Sequence, residues 1–238
     1  MKAKILLILF FASACTATQV NQAIDEASRS LETGAAPTSD EVSRGLKEAL
    51  MKGIADGADQ VSVTDGYYKN TSITIPFPPE FRKVEQKLRQ IGLSKEVDRF
   101  VMAMNRGAED AAREAKPIFV SAIQSMTIED AWGILKGNPD AATQYLKRTT
   151  SPQIKEKFKP IIQNSLDKVS ATKYYGDIVN TYNKIPFVER VNPDLNDYTT
   201  DLAMRGLFFM VAAEEKKIRD NPVERTSDLL KKVFAYQK

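Results

Sequence analysis

From Glu41 onward, apolar residues recur at three- and four-residue spacing, the period of helices with one buried face. Val42, Leu46, Leu50 and Ile54 follow Asp40, a candidate cap, and Phe81, Val84, Leu88 and Ile91 precede Gly92, a candidate helix stop. Ser94 is placed to cap a stripe of Val97, Phe100, Val101 and Met104. Thr127 with Asp130 three residues later has the form of a capping box ahead of Ile128, Ala131, Trp132 and Leu135, so Trp132 reads as a core residue. The run GLFFMVAA, Gly206 to Ala213, is apolar on all sides and belongs to a long helix from about Asp194 to Asp220; too short to cross a bilayer, it reads as the central helix of the core.

Asn138-Pro139, Ser151-Pro152, Asn192-Pro193 and Asn221-Pro222 share one device, a capping side chain followed by proline at the first helical position. On this reading KRTT, Lys147 to Thr150, ends one helix with cations and hydroxyls before Pro152 opens the next. Pro117 and Pro160 fall within helical patterns and should kink or divide them. Tyr67 to Glu80 departs from the helical period: Ile73, Ile75 and Phe77 alternate among three prolines, as in an extended arm or edge strand that packs on the body. The expected architecture is a single all-α, helical-bundle-like domain over 41–238 with a short extended proline-containing arm.

The first residues read differently. In MKAKILLILFFASAC two lysines precede an apolar run and small residues before Cys15, the only cysteine of the chain, so 1–14 reads as a signal peptide. Cys15 stands where a bacterial lipobox places the residue that is acylated and becomes the mature N-terminus, although Ala12 takes the place usually held by leucine. Without a second cysteine it has no disulfide partner in the chain. Residues 15–40 then read as lipid anchor and linker, the stretch from Thr33 being rich in small and polar residues. Attachment to a membrane through this anchor, on the periplasmic face of the outer membrane, is the expected location.

The segments TDGYYKN at Thr64–Asn70, IPFP at Ile75–Pro78, AKPIF at Ala115–Phe119, MTIEDAWGIL at Met126–Leu135, AATQYLKRTT at Ala141–Thr150 and YNKIP at Tyr182–Pro186 resemble, in this order, the bacterial family catalogued as domain of unknown function 4197. The resemblance covers about Ser43 to Phe234 and implies a helical, exported and often lipid-anchored protein. It implies no reaction and no catalytic residues.

Composition narrows the chemistry. The 34 basic and 31 acidic side chains give a formal charge of only +3, and they are interspersed, which points away from a nucleic-acid partner. The absence of histidine removes Ser-His-Asp triads, Cys-His dyads and histidine metal sites, and no glycine-rich phosphate loop occurs; no cofactor is expected. A histidine-free hydrolase would need two facing carboxylates. The acidic pairs Glu109-Asp110, Glu129-Asp130 and Glu214-Glu215 are adjacent in sequence, so their members point about 100° apart on a helix and cannot face each other. The favoured function is therefore a non-catalytic binding or accessory module of the envelope, partnered by an envelope protein or a cell-wall component, with the carboxylate hydrolase as alternative. Candidate contacts are Asn105, Arg106 and Glu109 on one helix and Gln144, Lys147 and Arg148 on another, two short polar faces that would meet across a groove. Tyr174, Tyr175 and Tyr182, near Asn180 and Asn183, are placed either to line a groove or to rim a helical core.

Overall fold

The computed structural model describes residues 36–184, 186–187 and 190–236. The signal sequence, Cys15 and most of the linker lie outside the described residues. The helices are α1 (Ser39–Val61), α2 (Arg82–Gln90), α3 (Ser94–Ala112), α4 (Ala115–Gln124), α5 (Ile128–Leu135), α6 (Ala141–Asp167), α7 (Ala171–Tyr182), α8 (Leu195–Asp220) and α9 (Asp228–Phe234), with short 3-10 turns at Pro79–Phe81 and Pro222–Glu224. The fold is all-α, and no strand occurs among the described residues.

Helix α8 is central. It packs on α1 along one side and on α6 along another, while α3 lies along α6, and α4, α5 and α9 cover α1. Its Ala203, Leu207, Phe208 and Val211 are buried, and Phe208 meets Phe119 of α4 edge to face with ring centroids 5.7 Å apart. The apolar run is not buried all round, because Phe209 is 53% exposed. No helix among the described residues is long and apolar enough to cross a membrane. Glycine permits close approaches at Gly107 and Gly206. A Cβ on Gly107 of α3 would stand 3.1 Å from Ser165 Cβ and 3.3 Å from Ile162 Cα, and one on Gly206 of α8 would stand 2.7 Å from the Tyr67 ring.

Several expected boundaries move for physical reasons. Thr38, not Asp40, caps α1: its Oγ1 accepts from the Glu41 N–H while Glu41 accepts from the Thr38 N–H, so residues 38–40, read as linker, form the cap and first turn. The Thr127–Asp130 box forms as expected, and Gly92 (φ 93°) ends the turn after α2. Ser94 starts α3 but makes no cap bond. Asp194 caps α8 in place of Asn192, whose Oδ1 accepts from the Asp194 N–H instead. Asn221 does accept from the Val223 N–H, but the helix it opens is only the 3-10 turn.

The largest correction is at Ser151-Pro152. No helix ends or begins there; α6 runs 27 residues through both Pro152 and Pro160. Thr149, Thr150 and Ser151 donate their hydroxyls back to the carbonyls of Tyr145, Leu146 and Lys147, at 2.9, 2.6 and 2.6 Å, rather than accepting from a following turn. Both prolines lie on the exposed face, while Ala142, Leu146, Thr150, Ile154, Phe158, Ile162 and Leu166 are buried without a break in phase. Packing of that stripe on α8 and α3 holds the helix through two missing N–H donors. Pro117, by contrast, sits in the first turn of α4, after α3 has ended at Ala112.

Residues 62–78 form a folded loop, not an edge strand. The chain turns through Thr64–Ile73 and continues without regular structure from Thr74 to Pro76, burying Tyr67, Ile73 and Ile75, with the Phe77 ring 5.0 Å from that of Phe100. The expected packing of its apolar side chains on the body is present. Trp132 is half-buried rather than central: its Nε1 donates to Ser39 Oγ at 3.2 Å, and Lys136 lies over the ring.

Candidate functional site

The six polar residues expected to share a groove divide between two places. Asn105, fully buried on α3, donates from Nδ2 to the Ile75 carbonyl and accepts the Ile75 N–H at Oδ1, both at 2.8 Å. Glu109, equally sunk, accepts the N–H groups of Tyr67 and Tyr68 at 3.1 Å with one oxygen and Arg106 at 2.6 Å with the other. Arg106 is completed by Asp65 at 2.6 Å and lies over the Tyr68 ring. The carboxylates of Glu109 and Asp65 hold the guanidinium more firmly protonated than usual, and Lys69 and then Arg106 hold the Asp65 carboxyl below the ordinary range. These three residues latch the loop onto the body: the N–H groups of a buried turn need acceptors, and α3 supplies them.

Gln144, Lys147 and Arg148 lie elsewhere. Gly107 meets α6 at Ile162, and Arg148 is about 21 Å back along that helix at 1.5 Å per residue. Arg148 lies over the Tyr145 ring and lines no cleft with the other two. Gln144 and Lys147 do line one. Spaced three and four apart with Ser151 and Lys155, they face a stripe of α8 made by Asp201, Arg205, Phe208 and Ala212 at the same spacing, across a cleft of about 710 Å³.

Charge is unevenly distributed along this cleft. At one end Lys155 bonds Asp201 at 2.9 Å and Asp197 at 3.2 Å, which raises its pKa, while Lys159 and Lys155 hold the Asp197 carboxyl below the ordinary range. At the other, Asp140 accepts from Gln144 at 2.8 Å. Among the described residues neither Lys147 nor Arg205 forms an ion pair, and the exposed Phe209 stands between polar neighbours in the same cleft. An anionic group with an apolar attachment is complementary to that arrangement.

The paired acids are also accounted for. Glu215 of α8 accepts the first-turn N–H groups of Ala142 and Thr143, at 3.0 and 2.8 Å, and so caps α6 from a neighbouring helix. Arg219 bonds Glu215 at 2.9 Å and the Ile134 carbonyl at 2.8 Å, joining the end of α5 to the start of α6. Glu214 accepts from Gln60 at 2.9 Å and from Lys217 at 2.5 Å. No two of these acids face each other across a cleft.

A second depression, of about 610 Å³, lies between the α2–α3 hairpin and the start of α7. Tyr174 and Tyr175 line it; the Tyr175 hydroxyl donates to the Asn192 carbonyl, and burial pushes its pKa up to about 12. Tyr182, half-buried, instead packs edge-on against Phe81, and Asn183 clamps Val191 through both its amide atoms.

Sequence reasoning missed the α8 half of the first cleft. Arg205 and Phe209 are four apart, a surface pair hidden inside a run dominated by buried residues. A signal for the latch was available: Asn105 falls on the same stripe as Val97, Val101, Met104 and Ala108, where a polar side chain requires an internal partner.

No curated protein and no solved structure matches the chain. A family model described as protein of unknown function, DUF4197, matches residues 36–235, and its span takes in the latch, the cleft and every helix among the described residues. The chain belongs to that family.

Proposed function

We propose that this protein is a non-catalytic binding module of the bacterial cell envelope, tethered by acylated Cys15 to the periplasmic face of the outer membrane, whose α6–α8 cleft receives an anionic group of an envelope protein or cell-wall component. The observation that carries this reading is the coexistence of Lys147 and Arg205, cations without ion pairs among the described residues, with exposed Phe209 in one open cleft. A surface that needed these cations for stability would pair them, as α8 pairs Asp201 with Lys155. The buried acids Glu109 and Glu215 are engaged by backbone N–H groups and cations, and Glu214, which lines a cleft with Asp56, Asp59 and Glu224, is held by Gln60 and Lys217.

Crosslinking in living cells through a photoreactive side chain at Phe209, followed by mass spectrometry, tests the proposal. A reproducible crosslink that vanishes in a Lys147→Glu, Arg205→Glu variant of unchanged melting temperature is the expected result. Undiminished capture by that variant removes the cleft from consideration. Metabolic labelling with a fatty-acid analogue that marks the wild type and spares Cys15→Ser is expected for the anchor.

A further inference from the structure

We infer that the depression between the α2–α3 hairpin and α7 is a binding site for a single-chain amphiphile with an anionic head, separate from the α6–α8 cleft. Its floor is made by Phe77, Val97 and Phe100. Its walls carry Leu93, Tyr174 and Ile178, which are 39%, 62% and 36% exposed. One such residue in water needs no explanation, but several around one depression of about 610 Å³, within the range of small-molecule sites, form a continuous apolar surface.

Two features select the occupant. The first is charge: Arg99 of α3 and Lys168 at the end of α6 line the site from two different elements, and among the described residues neither forms an ion pair. Nearby Arg89 is held by Glu85 and Asp98, so an unpaired guanidinium is not the rule in this hairpin. Glu96 is the one acid lining the site, which leaves the rim net positive. The second is hydrogen bonding. The Tyr175 hydroxyl already donates to Asn192, and Phe77, Val97 and Phe100 offer no polar atom beyond their backbones. Polar side chains line the depression at Ser170, Tyr174 and Glu96, but the apolar stretch itself suits an alkyl chain, which has no N–H or C=O groups to satisfy. The pattern fits a hydrocarbon chain against the floor and a carboxylate or phosphate at Arg99 and Lys168.

The test uses the purified full chain, delipidated on a hydrophobic resin, with dansyl-undecanoate as fluorescent probe and dodecanoate and dodecanol as competitors. Saturable probe binding displaced by dodecanoate is expected. Arg99→Glu combined with Lys168→Glu is expected to weaken dodecanoate about ten-fold or more, equivalent to about 1.4 kcal/mol, without altering competition by dodecanol or the helical circular dichroism. Ile178→Asp, at a partly exposed position, should weaken both competitors. Absence of saturable binding overturns the inference, as does equal affinity in the charge-reversed variant. Tight binding to phosphatidylglycerol vesicles without displacement by dodecanoate also overturns it, since the surface would then dock on a bilayer.

Discussion

The latch on α3 and the cleft between α6 and α8 are built from similar side chains: an amide, a cation and an acid spaced along a helix. In the latch every polar atom named is matched to the backbone or to an opposite charge, and Asn105 is wholly buried. In the cleft, Gln144 and Lys147 stand in water and Lys147 has no ion-pair partner among the described residues. What separates them is the chain opposite. The loop 62–78 brings unsatisfied N–H groups to α3, whereas α8 brings a helical face whose N–H groups are already bonded within the helix. Polar residues facing raw backbone become structure, whereas of those facing another helix Lys155 is paired and Lys147 has no ion-pair partner among the described residues.

The comparison breaks most visibly at Glu215, the interior acid that supports the cleft from behind. Glu215→Ala leaves two helix-start N–H groups and the buried Arg219 without this acceptor, so a loss of about 3–5 kcal/mol is expected, or about 6–20 °C in melting temperature by calorimetry. Asn105→Ala should cost about 2–4 kcal/mol in denaturant unfolding, because both backbone groups of Ile75 lose their partner. Gln144→Ala should stay within about 0.5 kcal/mol. Equal costs for these last two would erase the distinction between latch and cleft.

A further prediction concerns pH. Lys232 and the Thr38 N–H hold the Glu41 carboxyl down to about 2, tying the start of α1 to α9. A depressed folded pKa contributes stability above the unfolded value, lost as pH falls from about 4.5 towards 2. Glu41→Gln should therefore flatten the melting-temperature profile in that window by lowering its neutral plateau towards the acid-side value. A small effect of opposite sign is expected at Ser170, which turns the chain between α6 and α7 with φ 54°. Ser170→Gly should relieve a net of about 0.5–1 kcal/mol and raise the melting temperature by about 1–4 °C.

The helical class was legible because three- and four-residue spacing persists wherever a helix buries one face, and the Thr127–Asp130 box marked a true start. The break at Pro152 was misplaced because proline and hydroxyls were weighed above phase: the every-fourth-residue stripe from Ala142 to Leu166 crosses that point unchanged. Glu215 as cap of α6 was illegible, since 72 residues separate it from Thr143 and no local pattern signals a cap supplied by another helix. Half of the cleft was legible as the stripe of Gln144 and Lys147, but its opposing half depends on which side of α8 faces α6, which is settled only by packing.

Tyr67 has a consequence for the order in which the chain assembles. Its hydroxyl donates to the Ala203 carbonyl at 2.6 Å, 136 residues away, while its N–H reaches Glu109, 42 residues away, and its ring fills the notch at Gly206. All three contacts together require α3 and α8 to be side by side, so the loop is expected to close late in folding. Mutations within it should therefore accelerate unfolding far more than they slow refolding, which makes this loop the part of the molecule that governs how long the folded state lasts.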